Sequence, residues 1–363
     1  MRSALVLALS LLAAPAFAAT PAMESLKLPP GFHIAVWTDK VPNAREMAVG
    51  TNHTVFVGSR DAGRVYAVSY AADGTVEKVR TVASGLQLPV GVAFHKGDLY
   101  ISAVSRIVVL RDIENHLDAP PAPEVITDKL PTETHHGWKY IAFGPDDKLY
   151  VPVGAPCNIC DRDSEGFAQL RRMNADGSGS EVVARGIRNT VGFDWRPSDK
   201  TLWFTDNGRD MLGDDLPSDE LNHVTKTGQH FGYPFCHQGD TLDPDFGKGR
   251  NCKDYTSPVL KLGAHVAALG ARFYQGKQFP AAYQGALIVA EHGSWNRTAK
   301  SGYRVMTVRL NGDKVVSYEP LVEGFLVGEN ATGRPADVQP LPDGSLLISD
   351  DDNGAIYRVT YKK

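Results

Sequence analysis

The chain is expected to fold as an all-β, six-bladed β-propeller of four-stranded antiparallel sheets. Three observations lead there. A unit of apolar run, tight turn, strand, turn and strand recurs six times, most clearly in the last copy, Ala336 to Tyr361. The copies follow one another at intervals of roughly 45 to 75 residues, the longer gaps holding insertions. The turns are dense in Pro-Asp-Gly and Asp/Asn/Gly words, as in Pro342-Asp-Gly344 and Asp352-Asn-Gly354, which favour tight reversals between strands. No copy can bury its apolar faces alone, so neighbours must stack. Radial closure protects their edges.

Taken in order, Met1-Arg2-Ser3, the apolar run Ala4 to Ala14 and Ala16-Phe17-Ala18 have the form of a cleaved secretory signal. A membrane anchor is the alternative, but the run is short for a bilayer. The expectation is therefore a leader at 1–18 and one propeller domain with long inter-strand loops at 19–363, periplasmic or secreted. Phe32 to Trp37 reads as a strand that pairs with the C-terminal repeat and closes the ring, because Tyr357 to Tyr361 would otherwise leave an open edge. Blade one is read from Met47, Thr54 and Arg64, blade two from Val90, Asp98 and Ile107, and blade three from Tyr140 and Lys148. Blade four is read from Val191 and Thr201, blade five from Leu269, Gly285 and Tyr303, and blade six from Ala336. A seventh would have to hide in the long fifth region.

A net charge of −4 without a dense basic patch argues against a general nucleic-acid surface. No glycine pattern opens a βαβ unit, which argues against NAD. The four cysteines of an exported chain are expected as two local disulfides, Cys157 with Cys160 and Cys236 with Cys252. A thioredoxin-like reading of the first pair lacks its βαβ context. Covalent haem would need a histidine where Asp161 stands. A zinc site using all four is the remaining alternative.

Three polar words precede blades at one shared phase: Thr134-His-His-Gly-Trp138, Gly186-Ile-Arg-Asn-Thr190 and Gly333-Arg-Pro-Ala-Asp337. Equivalent phase in a closed ring means one shared end, so His136, Arg188, Asn189 and Arg334 are expected in one axial cavity. Blade five adds Glu291-His-Gly-Ser-Trp-Asn-Arg297. Converging arginines call for an anionic ligand, or else for a salt bridge to Asp337 or Glu291. His136 can serve as a general base, and His135 either lines the pocket or orients it. The loop Asp206 to Asn222 is acidic and glycine-containing; it reads either as a calcium site of oxygen ligands or as a solvated loop, and its spacing does not match an EF-hand.

These words in this order resemble the soluble, pyrroloquinoline-quinone (PQQ) dependent sugar dehydrogenases, and most closely their sorbosone dehydrogenase-like (aldose/pyranose) branch. The similar stretches are His136 to Cys160, Arg185-Gly-Ile-Arg-Asn189, Asp219-Glu-Leu-Asn222, Phe231-Gly-Tyr-Pro234, Gly263-Ala-His-Val266, Glu291 to Arg297 and Gly333-Arg-Pro335. The resemblance implies a PQQ- and Ca2+-dependent oxidoreductase that oxidises a sugar or sugar aldehyde and hands electrons to an acceptor the chain does not name. It implies His136 as catalytic base, Arg188, Asn189 and Arg334 as cofactor contacts, and the backbone carbonyls of Gly208 and Arg209 as calcium ligands. His292 falls where glucose-oxidising relatives use a lysine, and Ala336 where they have a second arginine; Arg297 is expected to compensate. Two rivals stay open. One is a calcium-dependent, lactonase-like hydrolase drawing on Asp194, Asn207 and Asp350. The other is a binding propeller without turnover.

Overall fold

A computed structural model describes residues 23–362. The leader expected at 1–18 lies outside the described residues. The rest is a six-bladed propeller of four-stranded antiparallel sheets, one of which gains a fifth strand.

Blade one comprises Ala44–Val49, Thr54–Ser59, Arg64–Tyr70 and Val76–Ser84. Blade two comprises Val92–His95, Asp98–Ser102, Ile107–Leu110 and Glu124–Thr127. Blade three comprises Ala142–Phe143, Leu149–Val153, Gln169–Met173 and Glu181–Arg185. Blade four comprises Phe193–Trp195, Leu202–Asp206, Ser218–Val224 and Leu260–Ala264. Blade five comprises Ala268–Phe273, Leu287–Glu291, Arg304–Asn311 and Lys314–Val322. Blade six takes Pro335–Pro340, Leu346–Asp350 and Ala355–Tyr361 from the C-terminal end and Phe32–Thr38 from the N-terminal end. The last pairing is antiparallel, with Phe32 opposite Tyr361 and Val36 opposite Tyr357. The N-terminal strand is thus the outer strand of the C-terminal sheet, which closes the ring and covers the edge of Ala355–Tyr361.

The second strands are valine-, leucine- and aromatic-rich because both their faces are covered by neighbouring blades; Val55, Phe56, Leu99, Ile101, Phe204, Val289 and Ile348 are fully buried. Polar side chains stitch the inner ends of the blades. Asp337 of blade six accepts from the Met47 amide of blade one at 2.9 Å, Glu46 of blade one accepts from the Val92 amide of blade two at 3.1 Å, and Asp194 of blade four accepts from the Phe273 amide of blade five at 2.8 Å. These carboxylates satisfy amides that the curved inner strands cannot pair within their own sheets.

The long region that precedes blade five hides no seventh blade. It is an insertion between the third and fourth strands of blade four. Its segment Gln229–His230 pairs in parallel with the outer strand of blade three, and Cys236 and Cys252 bridge across it with their Cα atoms 5.5 Å apart. Cys157 and Cys160 bridge within their own loop, Cα to Cα 6.2 Å. Among the described residues no helix is long and apolar enough to cross a membrane.

Candidate functional site

A cavity of about 400 Å³ opens at one end of the axis, where the words sharing one phase converge. His135, His136, Arg188, Asn189, His292 and Arg334 all line it.

His136 sits in a tight loop, with φ of 49° in the left-handed region that non-glycine residues rarely adopt. The loop is fixed from below by buried Lys139, whose Nζ donates to the carbonyls of Gly137 and Val104 at 2.6 Å each. Gly154 lets it approach closely, since a Cβ there would lie 2.7 Å from the His136 Cβ. The His136 Nδ1 lies 2.8 Å from the Ala155 carbonyl oxygen. A carbonyl only accepts, so Nδ1 carries the proton and Nε2 keeps its lone pair. Burial, then the charge of Arg188, then His135 hold the His136 pKa well below 6.5. The ring is therefore a neutral base at neutral pH. His135 is exposed, with its ring centroid 4.1 Å from that of His136.

Arg188 is almost fully engaged. Its Nε donates to the Asn158 carbonyl at 2.9 Å, Nη2 donates to Asn158 Oδ1 and Asp210 Oδ2 at 2.9 Å each, and Nη1 donates to the Asn207 carbonyl at 3.3 Å. The amides of Arg188 and Asn189 donate to Asp206 at 2.9 and 2.7 Å. Arg334 donates to the carbonyls of His292 and Gly293 at 3.2 and 2.6 Å. The salt-bridge alternative is thereby corrected. Glu291 is taken by Arg304 at 2.7 Å and Asp337 by the Met47 amide, so neither answers Arg188 or Arg334. His292 Nε2 lies 2.7 Å from Asp351 Oδ1, and burial pushes its pKa down to about 4.

Arg297 does not reach the cavity lining. Its guanidinium donates to the Asp214 carbonyl and to Asp215 Oδ1, both at 3.0 Å, tying two rim loops together. Blade one brings two other arginines to the cavity, one of them paired with Asp351 at 2.8 Å through Arg45 Nη2. Arg45 and Arg60 line the cavity, and neither was anticipated. Arg45 precedes Glu46 as Ala336 precedes Asp337, so blade one carries an arginine at the phase where blade six has alanine. Ala336 packs with Val191 and Leu269 beneath Trp138, forming an apolar floor. Four guanidinium groups, Arg45, Arg60, Arg188 and Arg334, thus face two carboxylates, Asp210 and Asp219, around the cavity. Among its lining residues, Arg45 Nε, Arg60 Nε, Trp138 Nε1 and Asn296 Nδ2 are buried donors without a partner. Such donors are costly unless a ligand supplies acceptors.

The acidic loop is not a carboxylate cage. Asp210 pairs with Arg188, Asp214 with the Thr298 amide, Asp215 with Arg297, and Asp219 with the Gly208 amide. Among the described residues no group of three or more histidine, cysteine or acidic side chains could hold a metal. The side chain of Arg209 turns away to Asp243 at 2.6 Å. Neither the Gly208 nor the Arg209 carbonyl accepts a hydrogen bond among the described residues. Gly208 itself is confined, since a Cβ there would meet Pro217 at 2.9 Å. Gly208 lines the cavity, while Arg209 lines a small adjoining pocket that Gly208 shares; free carbonyls there suit a hard cation. The hydrolase trio does not assemble: Asn207 lines this cavity, Asp194 lines another with Arg272, and Asp350 is used inside blade six by Arg334, Asn353 and Tyr357.

A family model described as Glucose / Sorbosone dehydrogenase matches residues 102–358. A Borreliella burgdorferi protein described as uncharacterized is 31% identical over 374 residues, covering 99% of this chain and 97% of its own. The holo form of the pyranose dehydrogenase PQQ domain from Coprinopsis cinerea is similar in structure with a TM-score of 0.80, at 18% identity over 92% of this chain and 97% of that one. The calcium structure of a Trichoderma reesei carbohydrate-active enzyme of family AA12 gives 0.82 at 18% identity, over 96% of this chain and all of that one (100%). At such identities these likenesses concern the fold.

Proposed function

The chain belongs to the glucose/sorbosone dehydrogenase family, and from that premise we propose that it oxidises a sugar or sugar aldehyde with calcium-bound PQQ as hydride acceptor. One observation carries the reading: unpartnered buried donors of Arg45, Arg60 and Trp138 surround a cavity bordered by a histidine whose free nitrogen is unprotonated. A planar tricarboxylate matches that donor set, because carboxylates accept bidentate bonds from guanidinium groups. Arg45, Arg60, Arg188, Asn189, His292 and Arg334 would hold it, and the Gly208 and Arg209 carbonyls would hold the cation. When bound, the quinone supplies a hydride-accepting carbonyl and calcium polarises it. His136 takes the substrate hydroxyl proton on Nε2, because Nδ1 is committed to Ala155. Burial first, and then Arg188, clamped by Asn158 and Asp210, keep His136 neutral, and Arg188 adds to the cavity's charge. Residues 1–18 are proposed as a cleaved leader and 19–363 as one domain, which would place the reaction in the periplasm or outside the cell.

The test is reconstitution. Calcium with micromolar PQQ should give heat and an absorbance change, and the loaded protein should reduce a redox dye when sugars are added. No binding rejects the cofactor assignment. Binding without turnover on any sugar returns the binding-propeller reading.

A further inference from the structure

Trp295 lines the cavity yet is 70% exposed, the highest value among the exposed large hydrophobic side chains described. So open an indole contributes little burial to the fold. Its backbone is nevertheless fixed on both sides. The amides of Gly293 and Ser294 donate to the carbonyls of Val266 and Ser301 at 2.9 Å each, and Tyr303 OH donates to the Ser294 carbonyl at 2.6 Å. On the other side Arg297 and the Thr298 amide bond to Asp214, both at 3.0 Å. The next residue, Asn296, keeps a buried Nδ2 donor without a partner. A bare aromatic face on a rigid loop, next to an unspent amide donor, lies at the rim of the cavity that holds His136.

We propose that Trp295 is the platform on which the substrate stacks, and that it is the residue by which the site favours a ring that presents an apolar C–H face over a ringless substrate, with Asn296 donating to one of the ring's hydroxyls. The inference rests on the sugar-oxidising function proposed above. The indole face is electron-rich and attracts the weakly positive C–H groups of a pyranose, while the sugar hydroxyls match a polar donor. A two- or three-carbon hydroxyaldehyde has no such face. Trp295 thus sets specificity, whereas proton removal stays with His136.

The experiment uses the mature chain loaded with calcium and PQQ. D-Glucose and glycolaldehyde serve as ring and ringless substrates for wild type, Trp295→Phe and Trp295→Ala. In Trp295→Ala the KM for glucose should rise about five- to tenfold relative to that for glycolaldehyde, while kcat for glucose changes far less; Trp295→Phe should restore most of the ratio. An unmoved KM ratio overturns the proposal, and so does a fall confined to kcat, which would place Trp295 against the cofactor or an electron acceptor. A second arm needs no turnover: glucose should quench the wild-type tryptophan fluorescence, and Trp295→Ala should lose that quenching. If no variant turns over any sugar, the proposed function fails, while this arm still decides the platform. Quenching that is absent in the wild type or persists in Trp295→Ala overturns it.

Discussion

Asn158 grips Arg188 at two points, its carbonyl oxygen accepting from Nε and its side-chain Oδ1 from Nη2, each at 2.9 Å. The same Oδ1 accepts from the Asp210 amide at 2.8 Å, and Asn158 Nδ2 donates to the Asp210 carbonyl at 3.0 Å. Asn158 lies inside the loop closed by Cys157 and Cys160. The disulfide therefore immobilises the residue that aims the guanidinium. Asn158→Ala should weaken PQQ binding about tenfold, the size expected for a charge-assisted bond lost from a clamp. Reduction of the disulfide in the wild type should act in the same direction. Calorimetric titration reads both, and unchanged affinity in both would mean that Asp210 alone suffices.

His136 yields a prediction with a sign. Its pKa is held below 6.5 by burial first, then by Arg188 and His135. The basic form therefore persists as pH falls through 6.5, and the acid limb of kcat/KM should lie below that value. Removing a neighbouring positive charge raises a histidine pKa, so Arg188→Met should move the limb upward. His136→Asn should lower turnover about 100- to 10,000-fold at saturating cofactor. His135→Asn is the comparison, since its exposed ring has no assigned proton transfer. An acid limb at or above 6.5 in the wild type, or greater loss in His135→Asn, would reassign the base.

The fold and half of the site were legible in the chain for one reason: a propeller converts repeat phase into position. The words before blades three, four and six share a phase, and His136, Arg188 and Arg334 accordingly meet. Arg45 carries the same signal, standing before Glu46 as Ala336 stands before Asp337. Phase does not give side-chain direction on loops. Arg297 lies in the right word and points elsewhere, towards Asp214 with Asp215. Nor does it give partners. Asn158, 30 positions from Arg188, becomes its clamp only through the folded loop.

Arg60 separates these two kinds of arginine. It lines the cavity with its Nε unpartnered and its guanidinium 5.4 Å from the Trp138 ring centroid. Its side chain is 39% exposed and its nearest carboxylate, Asp61, is 3.7 Å away, so it supports little structure. Arg60→Met should weaken PQQ binding about tenfold, and Arg297→Met should weaken it much less. Dissociation constants from fluorescence or calorimetry decide; the reverse order would return Arg297 to the cofactor set.

Ring closure can be weighed at one side chain. Phe32 is buried, and its ring centroid lies 4.8 Å from that of Phe279 and 5.0 Å from those of Tyr283 and Tyr361. It thus joins the N-terminal strand both to its partner strand and to blade five. Phe32→Ala removes this packing and leaves a cavity at the seam, which should cost about 3 to 5 kcal/mol. His33 lies on the same strand, opposite Thr360, but faces solvent. His33→Ala keeps the backbone pairing and should change stability by less than about 0.5 kcal/mol. Urea unfolding of both variants beside the wild type measures the difference. Equal midpoints for the two would mean that the seam is held by backbone pairing alone, and that the aromatic cluster at Phe32 adds nothing to closure.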